Sequence, residues 1–342
     1  MSKQYNVAVV GATGMVGQKM IEVLIERDFP INQLKLLASS RSANRKVEAG
    51  GKQHTVEELT AASFAGVEFA FFSAGGDIST EFAPEAVKHG AVVIDNSNAF
   101  RMDPSVPLVV PEVNPGSVHG HKGIIANPNC STIQMVVALK PLQDAVPIKR
   151  IVAATYQAVS GAGKEAVDEL LDHSRAVLEG KVVVPERIPH QGAKRNFQLA
   201  FNCVPQIDVF VEDGYCKEEL KMVNETRKIM GLPKLPVTAT TVRVPVVTSH
   251  SIAVNVEFSN HLGAAEARDI LAGAPGVTLL DDPSDLIYPM PLYAADHDAV
   301  YVGRIRPDHS VEHGLNLWVV SDNIRKGAAT NSIQIAELLI NK

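Results

Sequence analysis

Cysteine, aromatic residues and surplus positive charge are all scarce in this chain, and each scarcity excludes something. The 342 residues include three cysteines, Cys130, Cys203 and Cys216, an odd number with neither a CxxC pair nor a Cys/His ligand spacing. They supply no disulfide framework and no structural zinc site, so no metal is expected. Aromatic residues make up 5%, with Trp318 the sole tryptophan, too few for the stacking platforms that hold single-stranded nucleic acid. Lys and Arg number 32 against 38 Asp and Glu, a net charge of -6, the wrong balance for binding nucleic acid by counterion release. No apolar run reaches the ~18 residues of a membrane helix. Met1 to Tyr5 open no signal-peptide core, because the first apolar stretch ends at once in Gly11. These features predict a cytoplasmic protein without nucleic-acid or membrane partners.

What is present is a core-forming chain, 46% hydrophobic, long enough for two domains at about 150 residues each. Apolar, β-branched stretches at 5–10, 34–38, 68–72, 91–94 and 123–126 read as strands, with helical spacing over 14–27 and 78–89. Strand–helix alternation of this kind predicts an α/β domain with a doubly wound parallel sheet of Rossmann type. Beyond residue 128 the pattern changes to helices at 131–140, 163–179 and 217–230 and strands at 150–159, 240–247, 251–258, 299–306 and 314–320. That is an α+β domain with a mostly antiparallel sheet. On the helix at 163–179, Val167, Leu170, Leu171, Ser174 and Leu178 share one face, and 323–341 reads as an amphipathic terminal helix. A first domain of 1–128 with 323–342 and a second of 129–322 are expected.

Two local patterns carry chemistry. The string Val10-Gly11-Ala12-Thr13-Gly14-Met15-Val16-Gly17 is a strand, a tight turn and a helix start with GxxGxxG spacing. Small residues there let the backbone approach a pyrophosphate, and a helix N-terminus presents free N–H groups to it. An ordinary strand–helix turn is the plainer alternative. The second strand ends in Ser39-Ser40-Arg41-Ser42, with no acid to take a ribose 2′-hydroxyl. Hydroxyls and a guanidinium suit a 2′-phosphate, so NADP(H) is preferred over NAD(H) if this is more than a solvated loop. Further on, Asn127-Pro128-Asn129-Cys130-Ser131-Thr132 places a thiol where a helix begins, a setting that favours the thiolate and can stabilise an oxyanion. A thiol beside a nicotinamide links aldehyde to acyl chemistry through a thioester. Cys203 and Cys216 lack this setting. His250 shares strand parity with Ile252, Val254 and Val256 on a covered face, where a structural histidine is the default. Arg243 opens an apolar strand and wants an anion, which a structural carboxylate would also supply. Arg101 and Lys221 read as ordinary surface charges.

Taken in order along the chain, several motifs resemble the aspartate-semialdehyde dehydrogenases. They are the glycine loop, Ser39-Ser40-Arg41, Asp95-Asn96-Ser97-Asn98-Ala99-Phe100-Arg101, the Cys130 segment, and Tyr156-Gln157-Ala158-Val159-Ser160-Gly161-Ala162-Gly163. Glu219-Leu220-Lys221-Met222-Val223-Asn224-Glu225-Thr226, Arg243-Val244-Pro245-Val246, Ser249-His250-Ser251 and Asp322-Asn323-Ile324-Arg325-Lys326-Gly327-Ala328-Ala329 complete the set.

The resemblance implies reversible NADP-dependent conversion of 4-aspartyl phosphate to aspartate 4-semialdehyde and phosphate, on the route to lysine (through diaminopimelate), methionine and threonine. It implies Cys130 as nucleophile, His250 as acid/base and Gln157 as the group orienting the intermediate. Arg243 would hold the substrate carboxylate, Arg101 and Lys221 the phosphate, and Glu218 the amino group. Gly11, Thr13, Gly14, Met15, Val16, Ser40, Arg41, Ser160, Gly161 and Asn323 would line the cofactor. A homodimer through the second domain's sheet is implied as well. An N-acetylglutamyl-phosphate reductase, related in chemistry and fold, is the nearest rival. Segments 219–226 and 249–251 favour the aspartyl enzyme.

Overall fold

The computed structural model describes residues 3–340, so expectations at residues 1, 2, 341 and 342 lie outside it. The chain divides into two compact units. One holds the described residues up to Asn129 and from Gly327 onward, and the other is Cys130–Lys326. The expected divisions at 128 and 323 fall one residue and four residues away.

In the first unit, β1 (Tyr5–Val10) enters α1 (Met15–Glu26), followed by β2 (Ile31–Ala38), β3 (Lys46–Ala49), β4 (Lys52–Glu58) and β5 (Phe69–Phe72). Then come α2 (Gly76–Lys88), β6 (Val92–Asp95) and β7 (Ile124–Ala126). The seven strands lie in the order β3-β4-β2-β1-β5-β6-β7, parallel except for the β3–β4 hairpin. Alternation along β1 explains the double winding. Val7 and Val9 pack with Met20 and Leu24 of α1 and with Ile333 and Ala336 of the terminal helix. Ala8 and Val10 face the other way, into a core with Ala83 and Ala86 of α2. The hairpin was not expected from sequence, because β4 buries only Val56 and its polar residues leave no apolar stretch to find.

The expected helix at 323–341 is shorter. One π-helical turn, Arg325–Ala329, precedes a helix over Thr330–Ile340. That terminal helix is tied to α1's end by Arg27, whose Nε and Nη2 donate to Glu337 at 2.8 and 2.7 Å.

The second unit opens with α3 (Cys130–Ala145), β8 (Ile148–Gln157), α4 (Lys164–Leu178), α5 (Lys217–Ile229), β9 (Val237–Arg243) and β10 (His250–Phe258). It continues through α6 (Ala264–Ala272), β11 (Val277–Leu279), α7 (Pro291–Ala294), β12 (Val300–Asp308) and β13 (Gly314–Ser321). Its sheet runs β11-β12-β13-β10-β8-β9. The three central pairings are antiparallel and the two outer ones, β11–β12 and β8–β9, are parallel. Helix α3 lies across β8, β10, β12 and β13, and most of its residues are buried.

The opposite face of the sheet is more open. Tyr156 is exposed and stacks obliquely on Trp318 with ring centroids 5.4 Å apart. Trp318 also lines a pocket with Ala253, Tyr288, Met290 and Leu317, to which Arg304 and Arg306 add charge. Only the first half of α4's apolar face is covered: Val167 and Leu170 are buried, whereas Leu171 and Leu178 are exposed. Helix α6 and β11 also escaped the sequence reading. Among the described residues, no helix is long and apolar enough to cross a membrane.

Candidate active site

The glycine loop belongs to the first unit. Gly11 adopts a φ of 85°, and a Cβ there would stand 2.9 Å from the backbone of Ser73. At Gly17 a Cβ would sit 2.1 Å from the carbonyl oxygen of Gly11. Both glycines are therefore needed to seat α1 against the strand that feeds it. Gly14 caps α1 with no side-chain acceptor, and the first turn holds no acidic residue. The N–H groups of its first turn thus meet no capping side chain or acid of the helix itself, the condition under which a helix N-terminus takes a phosphate. Thr13 Oγ1 lies 3.5 Å from Ser42 Oγ, which brings the loop beside the 3-10 turn Ser40–Ser42 at the end of β2. These residues fit a dinucleotide.

Arg101, in the same unit, is not the surface charge its sequence context indicated. It is buried, with Nε donating to the Asn127 carbonyl and Nη2 to the Asn96 carbonyl, both at 2.9 Å. Asn127 in turn donates to Asn96 Oδ1 at 2.6 Å and accepts from Asn331 Nδ2 at 2.7 Å.

In the second unit, Cys130 is the first residue of α3, and its side chain is partly accessible. Gln157 ends β8 and Arg243 ends β9, paired across the ladder, while His250 begins the neighbouring β10. Sheet register therefore gathers three polar side chains at one edge of the buried face.

His250 is fully buried, on the face its parity predicts. The Ala158 N–H donates to its Nδ1 at 2.9 Å, which places the proton of the neutral ring on Nε2. Burial first, then the nearby Arg243 charge, push the His250 pKa down to about 3, so the imidazole is uncharged at neutral pH.

Arg243 Nη1 donates to the Ala158 carbonyl at 2.7 Å, but its Nε has no hydrogen-bond partner among the described residues. Burial lowers its pKa, opposed by Glu218 and Cys130, which are near enough to act on its charge. Gly161 makes this crowding possible: a Cβ there would stand 3.0 Å from Arg243 Nη1 and 3.4 Å from the His250 ring.

Gln157 Nε2 donates to Glu218 Oε1 at 3.1 Å and lies 3.4 Å from His250 Nε2, while its Oε1 accepts from Thr155 Oγ1. Glu218 and Glu219 are sorted by geometry. Glu218 faces this cluster, whereas Glu219 closes the helix cap, accepting from the Cys216 and Thr241 N–H groups. Cys216 is itself the α5 N-cap, a structural post, and Cys203 is exposed.

Lys221 is the other residue whose setting sequence misjudged. Its Nζ lies 3.0 Å from both Asp208 and Glu218 carboxylates. Burial opposes its charge, but the two acids outweigh burial and raise its pKa. Asp208 was not anticipated at all: it sits in a loop between Ile207 and Val209, 13 residues from its partner, with no motif around it. Asn323 Oδ1 accepts from the Ser249 N–H at 2.9 Å, and its Nδ2 lies 3.0 Å from Ser160 Oγ. Among the described residues, no group of three or more His, Cys, Asp or Glu could hold a metal ion.

Comparison with known proteins agrees in both units. Residues 6–121 match the family model for the semialdehyde dehydrogenase NAD binding domain, and residues 139–326 match that for the dimerisation domain. The aspartate-semialdehyde dehydrogenase of Bacillus subtilis is 54% identical over 340 residues, covering 99% of this chain and 98% of that protein. A crystal structure of aspartate semialdehyde dehydrogenase II complexed with ASA, from Vibrio cholerae, is 48% identical, with a TM-score of 0.94 over 100% of this chain and 99% of that one. Another with NADP, from Candida albicans, is 25% identical, with a TM-score of 0.73 and 98% of each chain covered. With an NAD(P)-binding domain followed by a dimerisation domain, the chain belongs to the aspartate-semialdehyde dehydrogenase family.

Proposed function

We propose that this enzyme is NADP-specific and phosphorylating. It interconverts 4-aspartyl phosphate with aspartate 4-semialdehyde and phosphate, in the cytoplasm, on the route to lysine through diaminopimelate, methionine and threonine. The observation that carries the reading is the unsatisfied Nε of a fully buried Arg243, in electrostatic contact with Cys130. A buried guanidinium with an open donor is costly unless an anion completes it. A substrate carboxylate does so while the reacting carbon lies at the thiol.

In the biosynthetic direction Cys130 Sγ attacks the acyl phosphate carbon, the C–O bond to phosphate breaks, and a thioester remains. The bound nicotinamide cofactor supplies the hydride that reduces it, and takes one up in the reverse direction. Gln157 orients the thioester. His250 is the acid/base residue: its neutral ring holds the oxyanion by a hydrogen bond from Nε2–H, and collapse of the thiohemiacetal oxyanion breaks the C–S bond, returning the Cys130 thiolate and freeing the aldehyde. Glu218 binds the substrate ammonium, and Lys221 and Arg101 bind phosphate. Ser40 and Arg41 hold the 2′-phosphate of NADP(H). Gly11, Thr13, Gly14, Met15, Val16, Ser160, Gly161 and Asn323 line the rest of the cofactor.

The match to a dimerisation domain, together with the exposed Tyr156 ring on the half-buried Trp318, supports a homodimer through the second unit's sheet.

The test is reduction of NADP⁺ by aspartate semialdehyde, with and without phosphate, and with NAD⁺ in parallel. Phosphate-dependent reduction with a clear preference for NADP⁺ is expected. Equal use of NAD⁺ removes the Ser40 and Arg41 assignment. Turnover only with N-acetylglutamate semialdehyde replaces the aspartyl substrate.

A further inference from the structure

One carboxylate beside the proposed phosphate site takes no part in these steps. Asp208 Oδ2 lies 3.0 Å from Lys221 Nζ, and Glu218 Oε2 lies 3.0 Å from the same nitrogen. The two acids are held differently. Glu218 is buried and bound through its other oxygen to Gln157 Nε2, so it is committed to the reaction centre. Asp208 is half-buried in the loop before α5, at a φ of 69°. Its Oδ1 accepts from the Val209 N–H at 2.9 Å, its carbonyl accepts from Gln206 Nε2 at 3.1 Å, and the Val209 carbonyl accepts the Lys217 N–H at 2.8 Å. The loop is thus fastened to the first turn of α5, and the carboxylate points at Lys221. Burial works against both charges, yet Glu218 and Asp208 together keep the lysine pKa raised, and Lys221 keeps the aspartate pKa lowered.

A lysine shared between two carboxylates is a weakened anion ligand, since a phosphate arriving at Nζ also meets two nearby negative charges, which Arg243 beside Glu218 and Lys217 beside Asp208 offset only in part. We propose that Asp208 is a positioning residue that holds Lys221 in place and lowers the site's affinity for phosphate. Phosphate is the leaving group and product in the biosynthetic direction, and a site that held it tightly would retain it after the thioester formed. Glu218 cannot do this alone, because it is also the proposed seat of the substrate ammonium. When that ammonium is bound, Asp208 is the carboxylate left to Lys221. The inference rests on Lys221 being a phosphate ligand.

Asp208→Asn keeps the side chain's shape and an acceptor oxygen but removes the charge. Measured in the NADP⁺-reducing direction with saturating aldehyde, its KM for phosphate should fall by about three- to tenfold. The KM for aldehyde and kcat should move by less. Titration calorimetry with inorganic phosphate should show the same gain. Asp208→Glu, which preserves the charge, should keep the wild-type phosphate KM. In a Lys221→Met background, where phosphate binding is already weak, Asp208→Asn should have no further effect. The proposal is overturned by a phosphate KM that is unchanged or raised in Asp208→Asn, by an equal fall in Asp208→Glu, or by an equal fall in the Lys221→Met background. If Lys221→Met leaves the phosphate KM untouched, Lys221 is not a phosphate ligand, and both readings fall for that separate reason.

Discussion

The backbone N–H of Ala158 donates to Nδ1 of His250 at 2.9 Å, and this bond decides how the ring is presented. Protonating Nδ1 would set two donors against each other, so the proton stays on Nε2, 3.4 Å from Gln157. His250→Asn removes that donor from the reacting oxygen. A loss in kcat of about 10²–10⁴ is expected, the usual range for a general acid/base, with substrate KM values changed far less. A rate near wild type takes His250 out of the mechanism.

Cys130→Ala should abolish turnover. NADPH should still bind with wild-type affinity by fluorescence titration, because Cys130 is not among the residues proposed to line the cofactor. Iodoacetamide should inactivate the wild-type enzyme, and substrate should protect it. Measurable turnover in the alanine variant excludes the thiol as nucleophile.

Arg243→Lys tests the carboxylate site. Lysine keeps the charge but not the forked donors, and it forfeits the bond to the Ala158 carbonyl. The aldehyde KM should rise by about tenfold or more, the cost of one lost charge-assisted hydrogen bond. An unchanged KM places the substrate carboxylate elsewhere.

Acid should destabilise the fold through His250. The folded pKa is about 3 against an ordinary value of 6.5, so between these pH values the unfolded chain binds a proton that the native one refuses. Stability is whole above pH 6.5 and declines as pH falls toward 3, by about 1.4 kcal/mol per pH unit. Urea unfolding at pH 6 and pH 4 should show the wild type losing about 2 kcal/mol more than His250→Gln over that interval. Equal losses would mean the ring titrates normally when folded.

Gly17→Ala should cost more than a helical alanine ordinarily gains. The new Cβ would overlap the Gly11 carbonyl at 2.1 Å, forcing α1 away from β1. Lowered thermal stability together with lost NADPH binding is expected. A variant that binds NADPH normally would separate the loop's packing from its ligand.

Sequence revealed what periodicity and motif can carry. Continuous apolar stretches disclosed β1, β5 and β6, and parity put His250 on the covered face. The β3–β4 hairpin stayed hidden because its strands are largely polar and lie at the edge of the sheet, where one buried alanine and one buried valine suffice. Charged residues were the harder class. Arg101 and Lys221 look like solvent-facing groups until the fold surrounds them with two backbone carbonyls and two carboxylates respectively. Asp208 offered no signal, since its importance lies wholly in a partner brought near by a loop.

Gln157 and Arg243 sit opposite each other where β8 and β9 end, and His250 starts the strand on the far side of β8. The ladder therefore acts as a ruler for the chemistry: shifting any of these strands by one residue would turn its polar side chain outward and replace it with a neighbour of the wrong character. Adaptation to a longer or shorter acyl chain is consequently cheapest outside the strands, in the connecting segments that carry Asp208 and Gly161, where a backbone can be re-aimed without unzipping a sheet.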